Sequence, residues 1–200
     1  MMNDERRTSL TLITQHTHTH SHYSTHTLSL MIGQQIVYDT LERLNIDYTY
    51  TEHPAADTIE IGRQYWGNLP GTHCKNLFFR NHKGNRHYLV LIQADQTLDV
   101  HLLEHRLHQG RLTFASPERM MRYLGLRPGS VSPFGLLNDT EHHVHVFLDQ
   151  DLCRYTHLSF HPNDSRASLN LRFDDFMRYL DSTGNTYEWV DMTCTPTPTH

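Results

Sequence analysis

Lys75 and Asn76 stand side by side in LPGTHCKNLFFRN, residues 69–81. The other side chains there, Cys74, Leu77, Phe78 and Phe79, are of the kind that strands bury. An ammonium group held out by a strand is a compact, strongly hydrated partner for phosphate. The amide beside it both donates and accepts hydrogen bonds. A second group lies in RPGSVSPFGLLND, 127–139, where Gly129 and Pro133 bracket a short loop and Gly135 follows. Glycine permits close backbone approach to a ligand, and proline stiffens the turn. Such loops can offer N–H groups to a carbonyl or oxyanion. A third group is LSFHPNDSRASL, 158–169, with His161 at a strand end before Pro162. Histidine there is suited to hydrogen bonding or to acid–base chemistry. Taken singly each signal is weak, because Gly/Pro loops are usually turns and the chain has 18 histidines.

Two other patterns point less far. HLLEH, 101–105, matches the H-x-x-E-H spacing of zinc peptidases. On a helical wheel Leu98, Leu102, Leu103 and Leu107 take one side, and His101, Glu104 and His105 take the polar side, so a solvated helix face is the expectation. Cys74 as a nucleophile would need a base and an accessible electropositive setting. His73, adjacent on a strand, points to the opposite face, and a buried structural cysteine is expected. No metal site is assigned.

The elements that must position these residues are legible in outline. QQIVYDTLERLN (34–45) has Ile36, Leu41 and Leu44 near helical spacing, and IDYTYTEH (46–53) alternates like a strand. ADTIEIGRQYW (56–66) reads as a helix. CKNLFFR and HYLVLIQ read as strands joined by NHKGN, a hairpin signal with Gly84. A helix over 97–108 and a strand over RLTFA follow. SPERMMRYLG places Ser116 at the N-cap, Pro117 at the first helical position and Gly125 at the end. HHVHVFLD, HLSF and ASLNL read as strands, and RFDDFMRYLDSTG as a helix closing on Gly184. Residues 1–30 include the Thr/His-rich THTHSHYSTHT and carry five of the histidines. Such a segment buries too little to offset its ordering entropy, so it is expected to be a disordered tail, as are 193–200. The folded domain is expected over 31–192.

Composition sets outer limits. The chain has 200 residues, 37% hydrophobic and 20% charged, enough for one core. No apolar run approaches the roughly 18 residues of a membrane span, and no signal-peptide pattern follows Arg6 and Arg7. Three cysteines at 74, 153 and 194 are an odd count without metal spacing, which suits a reducing cytoplasm. Net charge is −5, but residues 63–127 hold ten Lys/Arg against four Asp/Glu. A local basic region of this kind can receive a polyanion on an acidic protein.

Taken together, GTHCKNLFFR, HYLVLIQAD, LTFASPERMMRYLGLRPGSVSPFGLLND and FHPND resemble, in order and spacing, the YbaK/prolyl-tRNA-synthetase-associated editing domains over about 34–192. Within that family they look most like the free-standing branch that deacylates Ala-tRNA-Pro. The resemblance implies a mixed α/β fold with a curved, mainly antiparallel, partly barrel-like sheet and surrounding helices. It implies metal-independent hydrolysis of the ester in mischarged tRNA-Pro, with no cofactor and with help from the substrate's own ribose hydroxyl in placing the water. Lys75, Gly129 and His161 correspond to the functional lysine, loop glycine and histidine of the family. Asn76, Ser130, Val131, Ser132, Pro133, Phe134, Gly135 and Ser165 are the implied substrate-binding residues. Partners would be the aminoacylated end of tRNA-Pro, with prolyl-tRNA synthetase or elongation factor as further candidates, and neither DNA nor membrane. Deacylation of another small amino acid such as cysteine, and a non-catalytic tRNA-binding module, are the alternatives. One departure stands out: Ser165 and Arg166 replace the Asn-Thr that the family often carries after its FHP segment.

Overall fold

A computed structural model describes residues 14–18, 31–56, 58–65, 69–108 and 110–192. The strands are β1 Thr14–His18, β2 Tyr48–Glu52, β3 Thr72–Arg80, β4 His87–Gln93, β5 Thr113–Phe114, β6 Val144–Asp149, β7 His157–Phe160, β8 Ala167–Arg172 and β9 Tyr187–Val190. The helices are α1 Gln35–Arg43, α2 Ile59–Gly62, α3 Val100–Leu107, α4 Pro117–Leu124 and α5 Phe173–Thr183, with 3-10 turns at Pro133–Asn138 and Gln150–Arg154.

All nine strands form one mixed sheet in the order β1-β2-β8-β7-β3-β4-β6-β9, with β5 beside β3. β3–β7, β4–β6 and β6–β9 are parallel and the other pairings antiparallel. Among the described residues the two ends of this order do not pair, so the sheet is open and the barrel-like closure implied by the family resemblance is not made by hydrogen bonds.

β4 shows why the sheet has helices around it. HYLVLIQ is buried at every position except Gln93, the pattern of a strand covered on both faces. Leu89 and Leu91 enter one core with α1, α4 and α5; Tyr88, Val90 and Ile92 enter a second with Leu103 of α3 and Leu112. Period-2 alternation thus divides one strand between two cores.

Several local expectations need correction. In α1 the buried residues are Val37, Tyr38, Thr40 and Leu41, and Ile36 is exposed. The helix expected over 56–66 is only Ile59–Gly62, and the strand expected over 111–115 only Thr113–Phe114. β9 was not anticipated; it is recruited as a parallel partner of β6. Most of the expected N-terminal tail, and residues 193–200, lie outside the described residues. Thr14–His18 within that tail pair with the β2 edge, a contact that backbone groups make without any apolar pattern. Ser116 sits at the N-cap of α4 without a side-chain capping bond, and Gly125 ends that helix in the left-handed region as expected.

Candidate functional site

The site begins at a gap in the sheet. β3 pairs with β7 only through Thr72 and His73, and with β5 only through Phe79 and Arg80. His73 carbonyl accepts from Ala94 N–H beyond β4, whereas Phe78 carbonyl accepts from Ala115 N–H on the other edge. By alternation the backbone of Asn76 therefore faces the gap between β7 and β5. Gly71 lets the chain enter this junction: its φ is +85°, and a Cβ there would lie 1.9 Å from His157 carbonyl oxygen.

A cavity of about 300 Å³ occupies the gap. Its wall includes Lys75, Asn76, Gly129, Val131 and His161, so residues 86 positions apart in sequence share one space. Lys75 Nζ is half-buried and donates to Gln96 carbonyl oxygen at 2.8 Å. Asn76 Nδ2 donates to Val131 carbonyl oxygen at 3.0 Å, tying the loop to β3. Its Oδ1 is buried and has no partner among the described residues, which leaves an acceptor at the cavity wall.

The 129–133 loop is held from behind by Ser132. This residue is fully buried; its Oγ donates to His161 carbonyl oxygen at 2.6 Å and accepts from Phe134 N–H at 3.2 Å. Ser130 N–H is engaged by Arg127 carbonyl oxygen. Among the described residues no acceptor engages the N–H of Gly129 or Val131. Gly129 adopts φ +84°, the left-handed region that a side chain would strain.

His161 Nδ1 lies 2.9 Å from Ala167 carbonyl oxygen. A carbonyl only accepts, so Nδ1 carries a proton, and in the neutral ring Nε2 is the acceptor nitrogen. Two histidines that the sequence reading did not assign to the site surround it. His73 lines the cavity, and burial pushes its pKa down to about 3, with His161 and His53 adding to the effect. His53 stacks on Tyr65, contacts Ser168 Oγ at 3.0 Å through Nε2 and Pro54 carbonyl oxygen at 2.9 Å through Nδ1, and has its ring 6.0 Å from that of His161. Burial lowers its pKa too. Ser159 and Ser168 complete this polar wall. The available sequence signal was a His-Pro pair at the end of β2, the same dipeptide that marked His161.

Other expected site residues are placed differently. Pro133, Phe134 and Gly135 start a 3-10 turn buried in the core. Phe134 packs edge-on against Phe160 and Tyr179, Tyr179 Oη donates to Pro133 carbonyl oxygen at 2.9 Å, and a Cβ on Gly135 would meet Leu126 at 2.7 Å. They support the loop from beneath and do not line the cavity. Ser130 and Ser132 do not line it either, and Ser165 is buried with its carbonyl accepting from Ala56 N–H. Arg166 forms a paired contact with Asp164 at 2.7 and 2.9 Å on the surface. Cys74 does line the cavity, but it is buried and its thiol is pushed well above the ordinary range. In HLLEH, His101 bonds Glu104 at 2.9 Å and Glu104 accepts from Leu112 N–H, while Leu103 alone of that helix is buried. Among the described residues no three His, Cys, Asp or Glu side chains converge on a metal-sized site.

The sum is a half-enclosed cavity, partly apolar, with a cation at one side, the Gly129–Val131 loop at another and an imidazole held by its Nδ1 at a third. Comparison with known proteins gives the family. The model of the aminoacyl-tRNA editing domain matches residues 53–179. The chain is 36% identical over 162 residues to the prolyl-tRNA editing protein ProX of Acetoanaerobium sticklandii, covering 81% of this chain and 99% of that one. It is 34% identical over 148 residues to prolyl-tRNA synthetase associated domain-containing protein 1 of Danio rerio, covering 73% and 80%. A crystal structure described as a candidate trans-editing enzyme for prolyl tRNA synthetase superposes with a TM-score of 0.59 at 26% identity, over 80% of this chain and 95% of that one. The cavity between β3 and β7, with its lysine, its glycine loop and its histidine, thus sits in a chain that belongs to the aminoacyl-tRNA editing domain family.

Proposed function

We propose that this chain is a trans-editing deacylase that hydrolyses the ester of mischarged tRNA-Pro, with alanine as the amino acid removed. The observation that carries the reading is the convergence of Lys75, Asn76, the Gly129–Val131 loop and His161 on one cavity of about 300 Å³.

Each group has a role suited to its geometry. Lys75 Nζ, at the rim, exchanges its contact with Gln96 for a phosphate of the terminal nucleotide. The ester carbonyl lies against the Gly129 and Val131 amides, which stabilise the negative charge that develops on its oxygen when water attacks. Asn76 Oδ1 accepts from a ribose hydroxyl or from the amino group of the substrate. His161 Nε2 accepts a proton or hydrogen bond from the substrate side while Nδ1–H stays on Ala167. The depressed pKa values of His53 and His73 keep the wall behind it neutral. A neutral wall suits a substrate whose amino group is cationic. Proline must be refused by shape, and one methylene is worth only about 1–3 kcal/mol.

The test is incubation of the purified chain with Ala-tRNA-Pro, Cys-tRNA-Pro and Pro-tRNA-Pro, following release of labelled amino acid. Selective release of alanine is expected, and Lys75→Ala is expected to abolish it with no loss of fold. Release of cysteine in place of alanine reassigns the specificity. Binding of tRNA with no turnover of any ester overturns the deacylase reading in favour of a binding module.

A further inference from the structure

The geometry points to a docking surface for the unpaired 3′ strand of tRNA outside the cavity, built from Phe114 as a stacking platform and from Arg80, Lys83, Arg86 and Arg111 as phosphate contacts. It rests on the reading of the cavity as an aminoacyl-tRNA site and adds where the rest of the strand lies.

Phe114 is 64% exposed, more than any other exposed large apolar side chain among the described residues. Its ring lies on that of Phe79 with centroids 4.6 Å apart and planes at 22°. Phe79 itself is buried, so one face of the Phe114 ring is backed and the other meets solvent. A backed aromatic face stacks any base. It also lies in line with the cavity. Lys75, Leu77 and Phe79 share one face of β3, and Leu77 and Lys75 line the cavity. Two residues of strand, about 7 Å, separate Leu77 from the residue on which Phe114 rests.

The charges favour a polyanion over a protein partner. Of the ten Lys/Arg in 63–127, Arg63 and Arg106 form salt bridges, with Asp95 and Glu188. Among the described residues the other eight have no carboxylate within 4.0 Å. Elsewhere Arg154, Arg166 and Arg178 pair with nearby aspartates. The unpaired cations include those beside Phe114. Arg80 is opposite Thr113 in the β3–β5 register, one residue along from the Phe79–Phe114 pair and on the other face of β3, so it reaches the tRNA strand by way of the hairpin tip; the 110–114 segment runs next to that tip, where Gly110 approaches His82. Lys83, Arg86 and Arg111 are exposed. Arg80 spends its guanidinium on the carbonyls of Asn81 and His82, which orients it without neutralising it.

The experiment measures binding of uncharged tRNA-Pro to the full chain by fluorescence anisotropy, at several salt concentrations. Phe114→Ala is expected to weaken binding about five- to hundredfold and Phe114→Trp to retain it. Phe114→Leu, which keeps Phe79 covered but has no π face, should weaken binding as the alanine variant does, and it stands in if that variant fails to fold. Arg80→Ala combined with Arg111→Ala should lower the slope of log affinity against log salt by about 2. Wild-type affinity in Phe114→Leu, or a Phe114 effect seen only on self-association or on capture of a protein, overturns the inference. Turnover of the alanyl ester of adenosine is scored separately. If the wild-type chain fails to hydrolyse that ester while tRNA binding depends on Phe114, the deacylase reading fails and the surface stands.

Discussion

Ser132→Ala removes one oxygen and tests whether the loop and His161 act as a unit. The hydroxyl is fully buried and joins two backbone groups, His161 carbonyl and Phe134 N–H. Alanine has nearly the same volume, so the packing contribution is small. The loss is two hydrogen bonds, a buried one from Phe134 N–H and a part-buried one to His161 carbonyl oxygen. An orphaned buried polar group costs about 1–3 kcal/mol, and some relaxation is expected at the N-terminus of a 3-10 turn, so the variant should be about 2–4 kcal/mol less stable. For a domain of this size each kcal/mol moves Tm by about 2–4 °C. The Gly129 and Val131 amides should then drift from the ester, and a displacement of about 1 Å can cost a hundredfold in rate. Urea unfolding followed by tyrosine and tryptophan fluorescence gives the first quantity. Single-turnover deacylation at 25 °C, where the variant is still folded, gives the second, and a drop of about ten- to a hundredfold is expected. A variant that loses stability but deacylates at the wild-type rate would refute the idea that Ser132 positions the loop for catalysis.

Acid should destabilise the fold through buried histidines. His73 and His87 have pKa values pushed down to about 3 and about 4, in both cases first by burial. The unfolded chain takes up these protons near pH 6.5 and the folded chain refuses them, so stability is full above pH 6.5 and falls as pH drops towards 4. Each histidine contributes at most about 1.4 kcal/mol per pH unit. Urea unfolding at pH 7.5, 5.5 and 4.5 measures this, and His87→Gln should flatten the slope; a slope identical to wild type excludes His87 as a source. Gly71→Ala should cost about 2–4 kcal/mol, combining left-handed backbone strain with the contact against His157 carbonyl oxygen. The same urea curves score it, and a loss under about 0.5 kcal/mol, the range of neutral surface changes, would mean that the β3–β7 junction yields easily.

Much of this protein is written locally. The unbroken apolar run HYLVLIQ demands cover on both faces and finds two cores. Pro117 at the first helical position and Gly125 past the last one set the ends of α4. Lys75, Gly129 and His161 were legible as an odd cation in a strand, a loop glycine and a histidine before proline, and the tertiary structure places all three at one cavity. What the residues could not state is where the sheet opens. That depends on β3 meeting β7 through two residue pairs, Thr72 with Leu158 and His73 with Ser159, some 86 positions apart. The gap admits side chains from both faces of β3, so His73 and Cys74 line the same cavity despite alternation. It also brings together His53 and Ser168, which lie 115 positions apart in sequence. For the same reason Phe134 and Gly135, next to the loop in sequence, turn inward onto Tyr179 and Leu126. In α1 a hydrophobic count alone could not choose between Ile36 and Val37, because a helix face is selected by what packs on it. Periodicity and capping are set by neighbours along the chain, and they determined the elements and the candidate residues. The cavity, its neutral histidine wall and the exposed ring of Phe114 arise from strand register and burial, which only the assembled sheet supplies.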